Sequence, residues 1–168
     1  TGVARVALSP DGGRVAVLTK RPAEAARGGD LHVHDRAART GTRLNDPAAT
    51  AALGRQGVTA LRFSPDGSKL AAVGDGGFVR VYDAATGKEL AAPKGHGGIV
   101  FCVAFSPDGR ALATGGDDGV ARVYDTATGR LVAELKGHTD SVRAVEFAPR
   151  GRLLFTASAD RTVRAVRA

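Results

Sequence analysis

The 168-residue sequence has no methionine, no tryptophan and a single cysteine, with six phenylalanines and two tyrosines as its aromatic complement. Each shortage excludes something. A lone Cys102 cannot form an internal disulfide, so the chain is not a stapled scaffold. No apolar run approaches the roughly 20 residues of a membrane-spanning helix, which excludes that class and gives no membrane partner. The aromatics all lie in or near apolar strand patterns. The basic residues are dispersed, with Lys20-Arg21 the only adjacent pair. A nucleic-acid surface wants clustered charge and free aromatics for stacking, so a net charge of +7 argues little for nucleic acid. Methionine is missing even at position 1, and Thr1 opens directly on a strand-like pattern. The expectation is a processed product or a piece of a longer chain.

What is present is glycine and repetition. Hydrophobic residues make up 43%, enough for a core, which excludes a wholly disordered chain. Glycine, at 23 residues, is enriched without a collagen period, and dense glycine between short apolar runs signals tight turns between strands. Ser9-Pro10-Asp11-Gly12 recurs as Ser64-Pro65-Asp66-Gly67, as Ser106-Pro107-Asp108-Gly109 and, degraded, as Ala148-Pro149-Arg150-Gly151; the steps are 55, 42 and 42 residues. Val81-Tyr82-Asp83, Thr86-Gly87 and Gly95-His96 each return 42 residues later. Four markers held in register define a repeat protein.

Within one unit the residues spell four short strands. Val100 to Phe105 is β-branched and aromatic, and Ser-Pro-Asp-Gly after it supplies turn chemistry. Residues 111–114, 120–124 and 131–135 follow, separated by glycine-rich turns, which predicts antiparallel meanders. No long helix is expected, although Pro47 to Leu53 is compatible with one turn. The units run approximately 1–53, 54–95, 96–137 and 138–168.

These units resemble WD40 repeats of a β-propeller. The resemblance rests on the Gly-His pair, the Phe-Ser-Pro-Asp-Gly turn and the strand ending in an aromatic-Asp pair, with Tyr82 and Tyr124 where the family prefers tryptophan. It implies an all-β fold of four-stranded blades and a polar network joining a loop His, a strand Ser or Thr, a turn Asp and the Trp. Carried over by position, the fourth unit offers His138, Ser158 and Asp160, with Val166 at the Trp position. The third offers His96, Asp118 and Tyr124, with Gly116 at the Ser position. The second has Gly54, Gly74 and Gly76 there, so its network is gone.

A propeller closes as a ring, typically of four to eight blades. The sequence holds four units, and the last stops in its third strand, for 15 strands. Such a half-ring exposes two apolar blade faces. Two solutions are open: further blades of a longer parent, or two copies assembling into an eight-bladed ring.

Nothing in the sequence supports an enzyme or a cofactor. His32-x-His34 puts two imidazoles on one strand face, but no carboxylate or cysteine stands at ligand spacing in that strand. The Ser-Pro-Asp-Gly sets lack the Gly-x-Ser-x-Gly frame of a nucleophile elbow. Gly74-Asp75-Gly76-Gly77 joins two strands without the helix that would bind phosphate. Arg80, Arg122 and Arg164 recur every 42 residues at a position that is commonly basic in the family, and are read as structural. What remains is recognition. The resemblance implies that loops before the first strand and between the second and third gather on one partner-binding face. In this chain that face would hold Arg55, Gln56, Thr139, Asp140 and Ser141 from one loop set. The other set supplies Lys20, Arg21, Arg27, Asp75, Asp117 and Arg161. The tip at 20–30, a polar extension that departs from the repeat, is the first choice. A non-catalytic scaffold for a protein or peptide partner is the leading expectation. A self-assembling half-propeller and a basic surface for nucleic acid or anionic ligands are the alternatives, and the setting is expected to be cytoplasmic.

Overall fold

In the computed structural model, residues 2–20, 29–44 and 57–167 are described. They form fifteen strands in four antiparallel sheets, with chain order kept within each sheet. The first sheet contains β1 (Gly2–Leu8), β2 (Arg14–Lys20), β3 (Gly29–Asp35) and β4 (Thr40–Arg43). The second contains β5 (Val58–Phe63), β6 (Lys69–Gly74), β7 (Val79–Asp83) and β8 (Glu89–Ala91). The third contains β9 (Val100–Phe105), β10 (Ala111–Gly116), β11 (Ala121–Asp125) and β12 (Leu131–Leu135). The fourth has three strands, β13 (Val142–Phe147), β14 (Leu153–Ser158) and β15 (Val163–Arg167). A 3-10 turn at Asp75–Gly77 is the one helical element among the described residues. The expected turn of helix near Pro47 lies outside them.

The Ser-Pro-Asp-Gly turns account for the first hairpin of the first three sheets, and Ala148-Pro149-Arg150-Gly151 for that of the fourth. Ser9, Ser64 and Ser106 each donate their hydroxyl to the Asp two residues on, at 2.5, 2.5 and 2.6 Å. The same hydroxyls accept the backbone N–H five residues on, at 2.8 to 2.9 Å. Gly12, Gly67, Gly109 and Gly151 all take φ near +70°, a backbone that side chains resist. These hydrogen bonds hold the Asp carboxyls below their usual range, Asp66 down to about 2 through the hydroxyls of Ser64 and Ser68.

The sheets stack in chain order through their first strands, β1 on β5, β5 on β9 and β9 on β13. Each junction sets a small-residue face of one sheet against a large-residue face of the next. Ala16, Leu18, Leu31 and Val33 meet Leu61, Phe63 and Leu70. Ala71, Val79 and Val81 meet Val103, Phe105 and Leu112. Ala104, Ala113, Ala121 and Val123 meet Val145, Phe147 and Leu154. Tyr82 and Tyr124 are fully buried. The sheets are blades of a propeller, and among the described residues they do not close into a ring.

Candidate protein-binding face

Loops from successive sheets meet at one end of the row. The turn after β6 hydrogen-bonds to the loop before β9, Gly77 N–H donating to Gly98 O. The turn after β10 lies against the loop before β13: a Cβ on Gly119 would stand 3.1 Å from the His138 carbonyl and 3.3 Å from that of Asp140. At Gly77 the corresponding distance to the His96 carbonyl is 2.0 Å. With φ near +70° at both positions, only glycine lets the loops approach so closely.

Above this backbone the side chains of Asp117, Thr139, Asp140 and Arg161 are exposed, and Asp75 is half-buried. Ser141 is buried beneath them; its N–H and hydroxyl donate to Asp140 at 2.6 and 3.0 Å and hold that carboxyl below its usual range. Arg161 occupies the register position of Gly77 and Gly119 and shares their left-handed backbone, with φ 69°. A bulky residue in that conformation is strained. Of the other residues expected on this face, Arg21, Arg27, Arg55 and Gln56 lie outside the described residues. Lys20 is placed by its backbone, which closes the β1–β2 and β2–β3 ladders against Gly2 and Gly29.

Two polar networks pin the loops from below, and both use a hydroxyl two residues before the one expected. His138 Nδ1–H donates to Asp160 at 2.8 Å, and its Nε2 meets Thr156 Oγ1 at 2.8 Å. Ser158 is not in this bond to the ring; its hydroxyl donates to the Asp140 carbonyl and accepts the Asp160 N–H. In the third sheet His96 Nε2 meets Thr114 Oγ1 at 2.9 Å, so the position expected at Gly116 is filled by Thr114. The reason is where the ring lies along the strand. Residues two apart share this face, so both positions look toward the histidine; the ring lies over Gly116, where a Cβ would stand 2.6 Å from Nδ1, and its Nε2 end reaches the threonine. In the second sheet the equivalent residue is Ala72, and among the described residues that sheet has no such network.

The two histidines differ in what faces Nδ1. Arg122, 7% exposed, donates to His96 Nδ1 at 2.7 Å, to Asp118 and, through Nε, to Glu134 at 2.9 Å. Its counterpart Arg164 turns instead to the Gly137 carbonyl at 2.7 Å. Arg80 pairs with Glu89 at 3.1 Å. The three recurring arginines are thus held by blade contacts and form no open arc of charge. Burial lowers the His96 pKa, and Asp118 opposes it less than burial and Arg122 together favour it. Burial alone would raise Asp118, but hydrogen bonds from Arg122 and from the Val120 N–H hold it below its usual range. Burial pushes Tyr124 up to about 12, with Arg122 and the Thr114 hydroxyl pulling the other way.

The inner rim carries residues that the repeat pattern did not flag. Register shifts between Val58 and Ala60 and between Val142 and Ala144 leave Thr59 and Arg143 as bulge residues, with Phe101 at the same place in β9. Thr59 donates to the carbonyls of Val73 and Val100, tying the second sheet to the third. The Arg143 guanidinium lies 3.9 Å over the Phe101 ring, tying the third to the fourth. The detectable signal was one polar or aromatic residue at a fixed place inside an apolar strand.

A protein-family model for the WD domain, G-beta repeat, matches residues 50–83, 87–125 and 129–165, more than half of the chain. The chain belongs to the WD40-repeat family. Repeats of this family generally mediate protein–protein interaction. Among solved structures the WD40 chain is similar to the crystal structure of the computationally designed Ika4 protein. The identity is 28% and the TM-score 0.73, over 99% of this chain and 91% of that one. Among curated protein sequences nothing matches it. The tyrosines in place of tryptophan are accommodated by burial, and Tyr124 OH has no well-formed hydrogen bond among the described residues.

Other chemistry is not assembled. His32 and His34 stack with ring centroids 6.0 Å apart, and no group of three or more His, Cys, Asp or Glu converges as a metal site among the described residues. Cys102 is wedged against the fourth sheet with its thiol 3.7 Å from the Gly115 and Val142 carbonyls. Burial pushes its pKa up to about 12, which removes the thiolate a nucleophile needs. No described helix is long and apolar enough to cross a membrane.

Proposed function

We propose that this WD40 chain is a non-catalytic scaffold that binds a protein or peptide partner on the loop face carrying Asp75, Asp117, Thr139, Asp140 and Arg161. The observation that carries this reading is the contrast between backbone and side chains at that end. The loops are knitted together by glycines in left-handed conformations, while the carboxylates of Asp75, Asp117 and Asp140 stay exposed or half-buried. Rigid loops presenting unneutralised side chains bind with little ordering cost. Arg161 keeps a strained backbone where its counterparts are glycine, and such strain concentrates at functional positions. The exposed aspartates favour a partner segment bearing basic residues.

Panning a displayed peptide library against the chain tests this. Recovered peptides should be enriched in Lys and Arg and should lose binding to the Asp75→Ala/Asp117→Ala variant. They should still bind Asp66→Ala, at the opposite end of the sheets. Binding that follows Asp66 and ignores Asp75 and Asp117 refutes the assignment.

A further inference from the structure

The two end faces of the row differ from every internal junction, and they differ in opposite senses. The large-residue face of the first sheet comprises Val6, Leu8, Val15 and Val17, paired across β1 and β2. Its equivalents on the other sheets pack on the preceding sheet: Phe63, Phe105 and Phe147 at the place of Leu8, and Leu70, Leu112 and Leu154 at the place of Val15. Here the larger residue is replaced by a smaller one twice over. Val6 is 56% and Leu8 63% exposed.

The small-residue face of the fourth sheet shows the reverse. Ala16, Ala71 and Ala113 are fully buried at one register position, and the fourth sheet has Phe155 there, 41% exposed. Around it lie Ala157, Ala165 and Val163, the last 70% exposed. Ala165 replaces the valines Val33, Val81 and Val123, which leaves room beside the ring. Size lost on one free face is regained on the other. That is the pattern of a repacked junction, in which overpacking at one side is relieved by a smaller partner.

We infer that the fourth-sheet face binds the first-sheet face of a second copy of this chain, with Phe155 seated over Leu8 and Val15. The contact is heterologous, so it either closes into a ring or runs on as a filament. Two copies supply eight sheets, within the range of propeller rings, and three would exceed it. A ring built from these four sheets alone closes at two copies, through two identical junctions, and leaves the loop face accessible on both.

Light scattering on a sizing column and sedimentation equilibrium of the chain test this. The expected result is a discrete species of two chains. Phe155→Glu and, separately, Leu8→Glu should each weaken association by about a hundredfold or more, the scale of losing a buried aromatic contact. Both residues are exposed in one chain, so the variants should keep the native circular dichroism spectrum. Phe155→Ala should weaken association as well. Adding Leu8→Phe and Val15→Leu to it recreates the size pairing of the internal junctions and should restore the two-chain species. A monomer at all concentrations, open polymers, or a two-chain species indifferent to Phe155→Glu overturns the inference. A three-residue variant that stays monomeric overturns the size-matching argument.

Discussion

Replacing Arg122 with alanine is expected to move a proton from one side of the His96 ring to the other. A guanidinium has only donors, so the 2.7 Å contact from Arg122 requires a lone pair on His96 Nδ1. The ring proton then resides on Nε2 and is donated to Thr114. Asp118 lies 3.2 Å from Nδ1, and without Arg122 it can take a proton there, as Asp160 does from His138 at 2.8 Å. The substitution also strips a charge-assisted hydrogen bond from each of Asp118 and Glu134. Each such bond is worth about 1.5–3 kcal/mol. The two carboxylate side chains are 27% and 30% exposed, so water replaces part of the loss, and the tautomer change recovers one bond. The net cost should be about 2 kcal/mol, or roughly 4–8 °C in melting temperature for a chain of this size. Long-range nitrogen–proton correlation spectra of the imidazoles at neutral pH read the tautomer directly, and thermal melts read the stability. The native chain should show Nε2–H at His96 and Nδ1–H at His138, and the variant Nδ1–H at both. An Nδ1–H tautomer at His96 in the native chain, or no change on removing Arg122, refutes the reasoning.

Three further outcomes follow from the same coordinates. His96 has a lowered folded pKa, so the unfolded chain binds the proton more readily. Its contribution to stability is complete above the unfolded value of about 6.5 and is lost as pH falls below it. The depressed carboxyls, Asp66 among them, add stability above about pH 3.9 that is lost on further acidification, so melting temperature should fall in two stages, with His96→Gln removing the upper one. Gly77→Ala combines a left-handed backbone with a Cβ 2.0 Å from the His96 carbonyl and should cost at least about 2 kcal/mol in urea melts, whereas Gly76→Ala, equally left-handed but open, should cost only about 1. Arg161→Gly should stabilise the chain by about 1 kcal/mol through relief of φ 69°, while weakening any peptide that uses Arg161, a combination readable by melting and titration calorimetry.

Much of the architecture is legible in the order of residues, because each blade is built from local hairpins. The Ser-Pro-Asp-Gly turn encodes its own geometry through one hydroxyl, one carboxylate and one left-handed glycine, so three such turns and the degraded Ala148-Pro149-Arg150-Gly151, which keeps the glycine, announce four sheets. The apolar run Val100–Phe105 is a strand as expected, and Val58–Phe63 and Val142–Phe147 are strands at the same place in their own repeats. The absence of clustered charge and free aromatics likewise anticipates a protein whose aromatics are spent on packing, as Tyr82, Tyr124, Phe105 and Phe147 are.

Three-dimensional packing decided the rest. Which of two hydroxyls, Thr156 or Ser158, meets His138 depends on where the ring lies along the strand; residues two apart share a face, so only the placement of the histidine loop separates them. The tautomers of His96 and His138 diverge because Arg122 folds inward and Arg164 outward, a choice made by the Glu134 carboxylate across the sheet rather than by anything near the arginines in sequence. The meaning of Phe155 emerges only when register aligns it with three buried alanines on other sheets. Local hydrogen bonding wrote the blades into the chain; burial between sheets, which couples residues of different repeats, determined what their faces and loops can hold.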